Sequence, residues 1–357
     1  MVSTDHMKKK IILFTLSLTK GGAETQLVKL ASFLKERGYA VVILYLLPKN
    51  DFKEFLGINA IPYKLISFKK GLGIFCLIKY IQSIQPDVLV SFMFGANIIA
   101  RGIKFLTSLK LITSVRNNEI AKRYFYLYKL TYKLDDISTF NSIVSLEKFK
   151  NDGLTVTSKS FLMNNAISIN ETKHDSLKND VFTFISIAHF RPQKDYKSLF
   201  KAIDILVKNK VPVKLLVLGI IGDATWPFEL IKEYGIEDQV DILGFVNDPS
   251  YYIEKSNAVV LSTFWEGTPN AVLEGMSKKK PIICSDVPGC TELINASNCG
   301  FVSEKSNPID LANKMEKLMM LSVEERDQLS FNGYKYVIDN HDESKVLKKW
   351  EQLICSL

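Results

Sequence analysis

The stretch IILFTLSLTKGGAETQLVKLASFLKERGYAVVILYL, residues 11–46, contains one complete strand–helix–strand unit. Ile11–Leu16 and Ala40–Leu46 are apolar runs of strand length. Between them, apolar residues recur at the spacing of one helix face, at Leu27, Leu30, Ala31 and Leu34. Gly38 follows them, at a place where glycine commonly ends a helix. Two strands separated by an amphipathic helix predict a parallel pair with a crossover helix.

The same alternation continues along the chain in two successive blocks. The first block has further apolar runs at Asp87–Phe92, Leu109–Val115 and Ser160–Met163. The polar segment Asn170–Asp180 lacks periodicity and is predicted to be a linker. The second block has strand-like runs at Val181–Ala188, Val213–Leu218, Val240–Leu243, Ala258–Leu261 and Pro281–Cys284.

Two α/β blocks of similar size predict two doubly wound, Rossmann-like domains facing each other across a cleft. We place the N-terminal domain at residues 1–168 and the C-terminal domain at residues 169–333. Residues 334–357 are predicted to form a last helix that could pack back on the N-terminal domain. Ligands of such sheets bind outside the carboxyl ends of the strands.

The composition is that of a globular protein, since 47% of the 357 residues are hydrophobic and 24% are charged. No apolar run reaches the ~18 residues of a membrane span. Lys8–Lys10 and Ile11–Leu18 have the order of a signal peptide, but Gly21 and Gly22 stand where a cleavage site is expected. We therefore interpret the apolar run as the first strand. The five cysteines lack metal-ligand spacing and are expected to be reduced, buried thiols, with neither a metal nor another cofactor.

The excess of positive over negative charge is confined to the first half of the chain. Residues 1–170 carry 24 Lys and Arg against 11 Asp and Glu, whereas the remainder carries 22 against 27. We expect the basic half to meet an anionic membrane surface, a lipid pyrophosphate or a nucleic acid. Surplus lysines on a solvated surface are the alternative.

Two glutamates follow the run Ala258–Leu261, in the segment Glu266-Gly267-Thr268-Pro269-Asn270-Ala271-Val272-Leu273-Glu274. Thr268 is predicted to cap a helix that begins at Pro269. A helix N-terminus suits a phosphate, and carboxylates accept hydroxyl groups well. One ligand with a phosphate and sugar hydroxyls would satisfy the whole segment.

This glutamate pair resembles that of glycosyltransferase family 4, which consists of retaining enzymes with the GT-B fold. The resemblance implies that Glu274 holds the ribose of a donor nucleotide and that Glu266 contacts the transferred sugar. The intervening residues would line the donor site: Gly267, Thr268, Pro269 and Asn270.

The segment from His189 to Lys194 resembles the family's diphosphate-binding loop. Relatives carry an arginine and, about five residues later, a lysine, and Lys194 matches that lysine. His189 occupies the arginine position, and Arg191 lies two residues further on. We predict that Arg191 is the phosphate partner, because guanidinium is always charged and binds phosphate oxygens bidentately. His189 as a neutral packing residue, or as the contact itself, is left open.

Two further positions resemble family sites in the first domain. Gly21 and Gly22 let backbone N–H groups approach an anion closely, and the resemblance places them near the donor phosphate and sugar. Arg116, with Asn117 and Asn118, follows a predicted strand, where relatives have acceptor-facing or sugar-facing residues.

The resemblance implies a metal-independent hexosyl- or N-acetylhexosaminyltransferase. A UDP-sugar is the expected donor, and a lipid-linked oligosaccharide on the cytoplasmic membrane face is the expected acceptor. The enzyme would act in surface polysaccharide biosynthesis and attach peripherally to the anionic membrane. The absence of Asp-x-Asp, GxxxxGK[ST], GxSxG and GxGxxG agrees with this expectation.

Other functions remain compatible with the same residues. A nucleotide-sugar epimerase can share the fold, a transferase can use a soluble acceptor, and a non-catalytic protein can sense a nucleotide-sugar. A nucleic-acid partner is not expected, since no recognised motif for one is present.

Overall fold

The computed structural model describes residues 8–67, 73–169 and 181–357. The chain divides into two compact units. Unit 1 comprises Met1–Ala166 with Ser344–Leu357, and unit 2 comprises Ile167–Glu343. The predicted linker Asn170–Asp180 lies outside the described residues.

Unit 1 has a seven-stranded parallel sheet in the order β3-β2-β1-β4-β5-β6-β7. The strands are β1 Lys10–Thr15, β2 Ala40–Tyr45, β3 Tyr63–Leu65, β4 Val88–Phe92, β5 Lys110–Val115, β6 Ile137–Phe140 and β7 Ser160–Leu162. The helices are α1 Gly22–Glu36, α2 Lys53–Ile58, α3 Gly73–Ile84, α4 Phe94–Phe105, α5 Lys122–Thr131 and α6 Ile143–Asn151.

Unit 2 repeats this plan with a six-stranded parallel sheet in the order β10-β9-β8-β11-β12-β13. Its strands are β8 Phe182–Ile187, β9 Val213–Leu218, β10 Val240–Gly244, β11 Ala258–Leu261, β12 Ile282–Ser285 and β13 Gly300–Ser303. Its helices are α7 Tyr196–Lys208, α8 Trp226–Tyr234, α9 Ser250–Lys255, α10 Asn270–Ser277, α11 Pro288–Ser297, α12 Pro308–Met320 and α13 Val323–Asn340.

Both sheets follow from the apolar runs in the sequence. Central strands such as β4 and β11 are buried at every position, because helices cover both faces of a parallel sheet. The strand order reverses between β1 and β4 in unit 1, and between β8 and β11 in unit 2. The prediction of doubly wound α/β architecture is confirmed, and the two reversal points are where ligands of such sheets bind.

The expected helix over 334–357 is in fact parts of two helices, α13 and a last helix α14, Glu343–Cys355. The backbone carbonyl of His341 accepts from Ile167 N, and Glu343 N donates to Ile167 O. These bonds replace the helical ones between the two elements. Helix α14 packs in the core of unit 1, where the Trp350 ring stacks on Phe92 at 5.7 Å.

Helix α5 divides its aromatic residues between the core and the surface. Tyr128 is fully buried against Phe94 and Phe149, so it is a core residue. Tyr126 and Leu130 are instead 80% and 81% exposed.

The cysteines also depart in part from expectation. Cys284, Cys290 and Cys299 are buried free thiols, but Cys76 and Cys355 are exposed. Within the described ranges, no helix combines the length and apolar character needed to cross a membrane.

Candidate active site

The candidate site lies in unit 2, at the carboxyl ends of β8 and β11. These strands are neighbours at the reversal of strand order. The loop after β8, Ala188–Asp195, and the loop after β11, Ser262–Pro269, therefore meet at the position where doubly wound sheets bind ligands.

Backbone hydrogen bonds fasten the two loops to each other. Asp195 N donates to Ser262 O at 3.0 Å, and Phe264 N donates to Gln193 O at 2.9 Å. The Gln193 side-chain amide donates to Trp265 O at 2.6 Å. Side chains on these loops therefore start from a fixed backbone, which keeps their mutual geometry defined before a ligand binds.

Lys194 and Glu266, which the sequence assigned to one site, are in direct contact. The Lys194 ammonium donates to Glu266 Oε1 and forms an ion pair with it. Glu266 is only 8% exposed, so the pair is screened little by solvent. An ammonium has three donors, and the contact with Glu266 leaves it able to bind a further acceptor.

Thr263 is a site residue that the sequence analysis missed. Its hydroxyl lies 3.2 Å from Glu266 Oε1 and 3.0 Å from Gln193 O, and its backbone N donates to the Ser285 hydroxyl at 3.0 Å. Thr263 thereby links the Glu266 carboxylate to both loops and to the end of β12. The signal in the sequence was a threonine just after a buried strand, a weak pattern by itself.

His189 and Arg191 have different environments. His189 Nδ1 accepts from Ile220 N at 3.0 Å, which requires a lone pair on Nδ1 and places the proton of the neutral ring on Nε2. Arg191 is exposed and forms no ion pair within the described part of the chain. His189 Nδ1 thus holds the end of β8 to the loop after β9, and Arg191 is an exposed cation on the same loop as Lys194.

Helix α10 begins one residue later than predicted. Its first residue is Asn270, and Pro269 takes the N-cap position because its ψ of 115° is extended. Thr268 is therefore not the N-cap. Glu274 is half-buried in the second turn of α10, one helical turn beyond the start of the helix.

Two glycines set the close packing around these loops. A Cβ on Gly289, in the first turn of α11, would collide with the Gly267 carbonyl. A Cβ on Gly219, after β9, would collide with the Ala188 carbonyl.

The predicted residues of unit 1 lie at the carboxyl ends of its own strands. Gly21 is extended and immediately precedes α1, which begins at Gly22. A Cβ on Gly21 would lie 2.7 Å from a carboxylate oxygen of Glu24, so an acidic side chain lies beside this helix start.

Arg116 directly follows β5 and is only 9% exposed. Its Nη1 donates to Asn165 Oδ1 at 2.9 Å and is 3.4 Å from Met163 O. Burial without a carboxylate partner lowers the pKa of Arg116 to about 9.

The acidic, histidine and cysteine residues that could bind a metal ion are dispersed in the part of the chain that the structure describes. Among residues 8–67, 73–169 and 181–357, no three or more of them are grouped so as to hold a metal ion.

Comparison with solved structures identifies the class. HepE from Anabaena, in its complex with UDP-glucose, matches with a TM-score of 0.85 at 17% identity, over 98% of this chain and 100% of that chain. The match shows the GT-B fold, which is built from two doubly wound α/β domains.

Sequence relatives are glycosyltransferases. The family model described as "Glycosyl transferases group 1" matches residues 168–336, which include every candidate residue of unit 2. A Campylobacter jejuni protein named "GalNAc-alpha-(1->4)-GalNAc-alpha-(1->3)-diNAcBac-PP-undecaprenol alpha-1,4-N-acetyl-D-galactosaminyltransferase" is 27% identical over 98% of this chain and 99% of its own.

A second Campylobacter jejuni relative is 24% identical over 84% of this chain and 87% of its own. It is named "N-acetylgalactosamine-N,N'-diacetylbacillosaminyl-diphospho-undecaprenol 4-alpha-N-acetylgalactosaminyltransferase". The protein is a glycosyltransferase with the GT-B fold, and both Campylobacter jejuni relatives carry names that specify lipid-linked acceptors.

Proposed function

We propose that this protein is a retaining, metal-independent transferase that moves a sugar from a UDP-sugar to a lipid-linked oligosaccharide in surface polysaccharide biosynthesis. The observation that carries the proposal is the Lys194–Glu266 pair at the strand reversal of unit 2. It joins a cation suited to a diphosphate with a carboxylate suited to sugar hydroxyls.

The leaving nucleoside diphosphate gains negative charge as the glycosidic bond breaks. Lys194 can donate to a phosphate oxygen while it still holds Glu266, because the ammonium has three donors. Arg191 adds a second, exposed cation on the same loop. The N-terminus of α10 contributes the positive end of its helix dipole. One preorganised donor of this kind changes the rate by about 10²–10³.

The two glutamates divide the rest of the donor between them. Glu266 precedes α10 and binds the transferred sugar, whereas Glu274 lies in the second turn and binds the ribose. This division follows the family resemblance. It is supported by the positions of the two carboxylates at opposite ends of one short segment.

Retention of configuration needs no protein nucleophile in this proposal. The leaving phosphate accepts the proton of the acceptor hydroxyl, which attacks on the same face of the sugar. Glu266 is engaged by Lys194 and Thr263, which suits it to position the sugar and makes it a weak nucleophile.

The choice of substrates draws on the relatives. UDP-glucose is bound in HepE, and the names of both Campylobacter jejuni relatives specify an undecaprenol diphosphate acceptor. We therefore propose a UDP-sugar as the donor and a lipid-linked glycan as the acceptor of this protein. The excess of positive charge in residues 1–170 suits work at the cytoplasmic face of an anionic membrane.

The decisive experiment offers a panel of radiolabelled UDP-sugars with a lipid-diphosphate-linked glycan, in excess chelator. We expect label to enter the organic-extractable product, the new linkage to keep the donor's anomeric configuration, and Glu266→Gln to abolish transfer. Activity that disappears with EDTA and returns with manganese would contradict metal independence. An isomerised free sugar formed without acceptor would identify an epimerase, and transfer only to water-soluble glycans would identify the other alternative.

A further inference from the structure

Unit 1 contains two buried arginines with opposite surroundings. Arg101 is fully buried, and its Nε and Nη2 atoms donate to the two carboxylate oxygens of Asp135 at 2.7 and 2.6 Å. This side-on, bidentate geometry is the preferred way for guanidinium to bind an oxyanion. Arg101 therefore shows how this fold compensates a buried guanidinium when the role is structural.

In Arg116 the corresponding edge of the guanidinium, formed by Nε and Nη2, has no hydrogen-bond acceptor among the described residues. Only Nη1 is hydrogen-bonded, to Asn165 and more weakly to the Met163 carbonyl. Its Nε and Nη2 atoms are buried, and no described residue accepts from them. Aromatic rings lie near the guanidinium instead, with Phe92 at 4.9 Å and Trp350 at 5.7 Å.

A buried cation of this kind is expensive for the fold. Ionised groups in protein interiors are normally paired, and an unpaired one destabilises the native state. The rings offset part of the cost through cation–π attraction, but they cannot accept the in-plane N–H groups. Burial also lowers the pKa of Arg116.

The position of Arg116 suggests why the fold tolerates the free-energy cost of burying an unpaired guanidinium. It directly follows β5, at the carboxyl edge of the parallel sheet, where ligands of doubly wound folds bind. The next residue, Asn117, also has a buried side-chain oxygen that no described residue pairs. Unpaired donors and an unpaired acceptor on adjacent residues suit a ligand with both phosphoryl oxygens and hydroxyl groups.

We infer that the Nε/Nη2 edge of Arg116 is a binding site for a diphosphate oxygen of a substrate, in the place that Asp135 takes beside Arg101. Naming the ligand as a substrate diphosphate rests on the proposed function. Either the lipid-diphosphate acceptor or the UDP-sugar can supply the group. Since Nε and Nη2 are covered by protein atoms, the oxyanion reaches them with a shift of neighbouring side chains, and Trp350 is positioned to report it.

The test uses the full chain with inorganic pyrophosphate as probe, first alone and then with saturating UDP. Arg116→Met should weaken pyrophosphate binding about ten- to hundredfold, the range for charged hydrogen bonds. Arg116→Lys should be intermediate, since it keeps the charge and loses the bidentate edge. Lys148→Met, at an exposed position of α6, removes the same charge and should change nothing.

A second readout separates ligand binding from a structural role. In a chain carrying Trp226→Phe and Trp265→Phe, Trp350 is the remaining tryptophan of the three. Its emission should change on pyrophosphate addition, and Arg116→Met should abolish that change. A merely structural Arg116 would leave the titration unaltered.

The arms identify the source of the diphosphate. If pyrophosphate still binds the UDP-saturated protein, and Arg116→Met raises the acceptor KM without weakening UDP, the group belongs to the acceptor. If UDP displaces pyrophosphate and Arg116→Met weakens UDP, it belongs to the donor. If the Arg116→Met variant binds pyrophosphate and UDP as tightly as the wild-type protein does, the inference is overturned. Failure of the proposed function would show separately, as absence of transfer with unchanged pyrophosphate binding.

Discussion

The Lys194 ammonium donates to the Glu266 carboxylate, so that residues 72 positions apart in the sequence form one charged pair. The family resemblance assigned the two side chains to different parts of the donor, a phosphate and a sugar. Because they are in contact, each of the two charges is already compensated by the other before a ligand binds. We therefore expect a donor phosphate to bind a lysine that is already held in place by Glu266.

The first prediction concerns the energy of this pair. Lys194→Met and Glu266→Gln should each destabilise the protein by up to about 3 kcal/mol, because each leaves a partly buried group without its partner. The double variant should lose about 1–2 kcal/mol less than the sum. Urea unfolding measures all three. Additive losses would mean that the pair contributes nothing, as we expect for the exposed Lys214–Asp241 pair, which is the matched control.

The second prediction separates the two glutamates. Glu274→Ala should weaken binding of bare UDP, since it removes a ribose partner common to all UDP-sugars. Glu266→Ala should reduce turnover and sugar discrimination more than UDP affinity. Calorimetry with UDP and kinetics with several UDP-sugars make the comparison. Equal losses of UDP affinity in both variants would contradict the assignment.

The third prediction concerns which residue binds the diphosphate together with Lys194. Arg191→Ala should lose about 2–5 kcal/mol of UDP binding if Arg191 contacts the diphosphate. His189→Ala should cost about 0.5–1.5 kcal/mol of stability, because Ile220 N loses its acceptor, with little effect on UDP affinity at pH 7.5. A larger loss of UDP affinity from His189→Ala than from Arg191→Ala would place the contact at His189.

A fourth prediction follows from the unpaired edge of Arg116. The depressed pKa means that the protonated form is disfavoured in the native state, so the cost is fully present below about pH 9. Arg116→Met should therefore raise the free energy of unfolding at pH 7 by about 1–3 kcal/mol. Arg101→Met should lower it, because Asp135 then loses its partner. Urea unfolding that shows a loss of stability in both variants would assign Arg116 a structural role.

The sequence predicted the sheets well for a physical reason. In residues 11–46 the apolar period changes from strand to helix and back, and Gly38 ends α1 with a positive φ of 84°. In α3, GIFCLIKYIQSI, most positions are apolar, whereas the buried residues are Gly73, Leu77 and Ile81, so apolar character alone does not identify the buried face.

The site could be predicted only where one short segment carries it. The Glu266–Glu274 segment and Lys194 were predicted in this way, and the structure brings Lys194 and Glu266 into contact. The role of Thr263 depends on contacts with Gln193, which is 70 residues away, and the start of α10 depends on the backbone of Pro269. Such details arise from tertiary packing, which a local pattern does not contain.

The fifth prediction concerns attachment of unit 1 to an anionic membrane. The sequence suggested the cations Lys8–Lys10, Lys69, Lys70, Lys104, Lys110, Lys122, Arg123, Lys129 and Lys133, with Tyr124, Phe125, Tyr126, Tyr128 and Tyr132 between the later ones. Lys69 and Lys70 lie outside the described residues. Lys9 donates to carbonyls at the end of α14, and Lys104 pairs with Asp136, so these two cations already have partners.

A narrower surface on α5 and the residues that follow it therefore carries the prediction. Tyr126, Leu127 and Leu130 are exposed apolar side chains, and Lys122, Lys129 and Lys133 are exposed cations beside them in the sequence. Apolar and cationic groups on one helix favour the membrane interface, and each cation adds about 1 kcal/mol near an anionic leaflet. Tyr128 contributes nothing to this surface, because it is a core residue.

Liposome sedimentation tests the surface. Binding should require anionic lipid and fade as salt rises, since the attraction is screened within about 8–10 Å. Neutralising Lys122, Lys129 and Lys133 together should release the protein from liposomes and leave UDP binding unchanged, whereas Lys148→Gln, Lys150→Gln and Lys159→Gln together should not release it. Replacing Leu130 by Ser should weaken binding at every salt concentration, because an apolar contact is not screened. A wild-type protein that ignores anionic liposomes at low salt would favour a soluble acceptor.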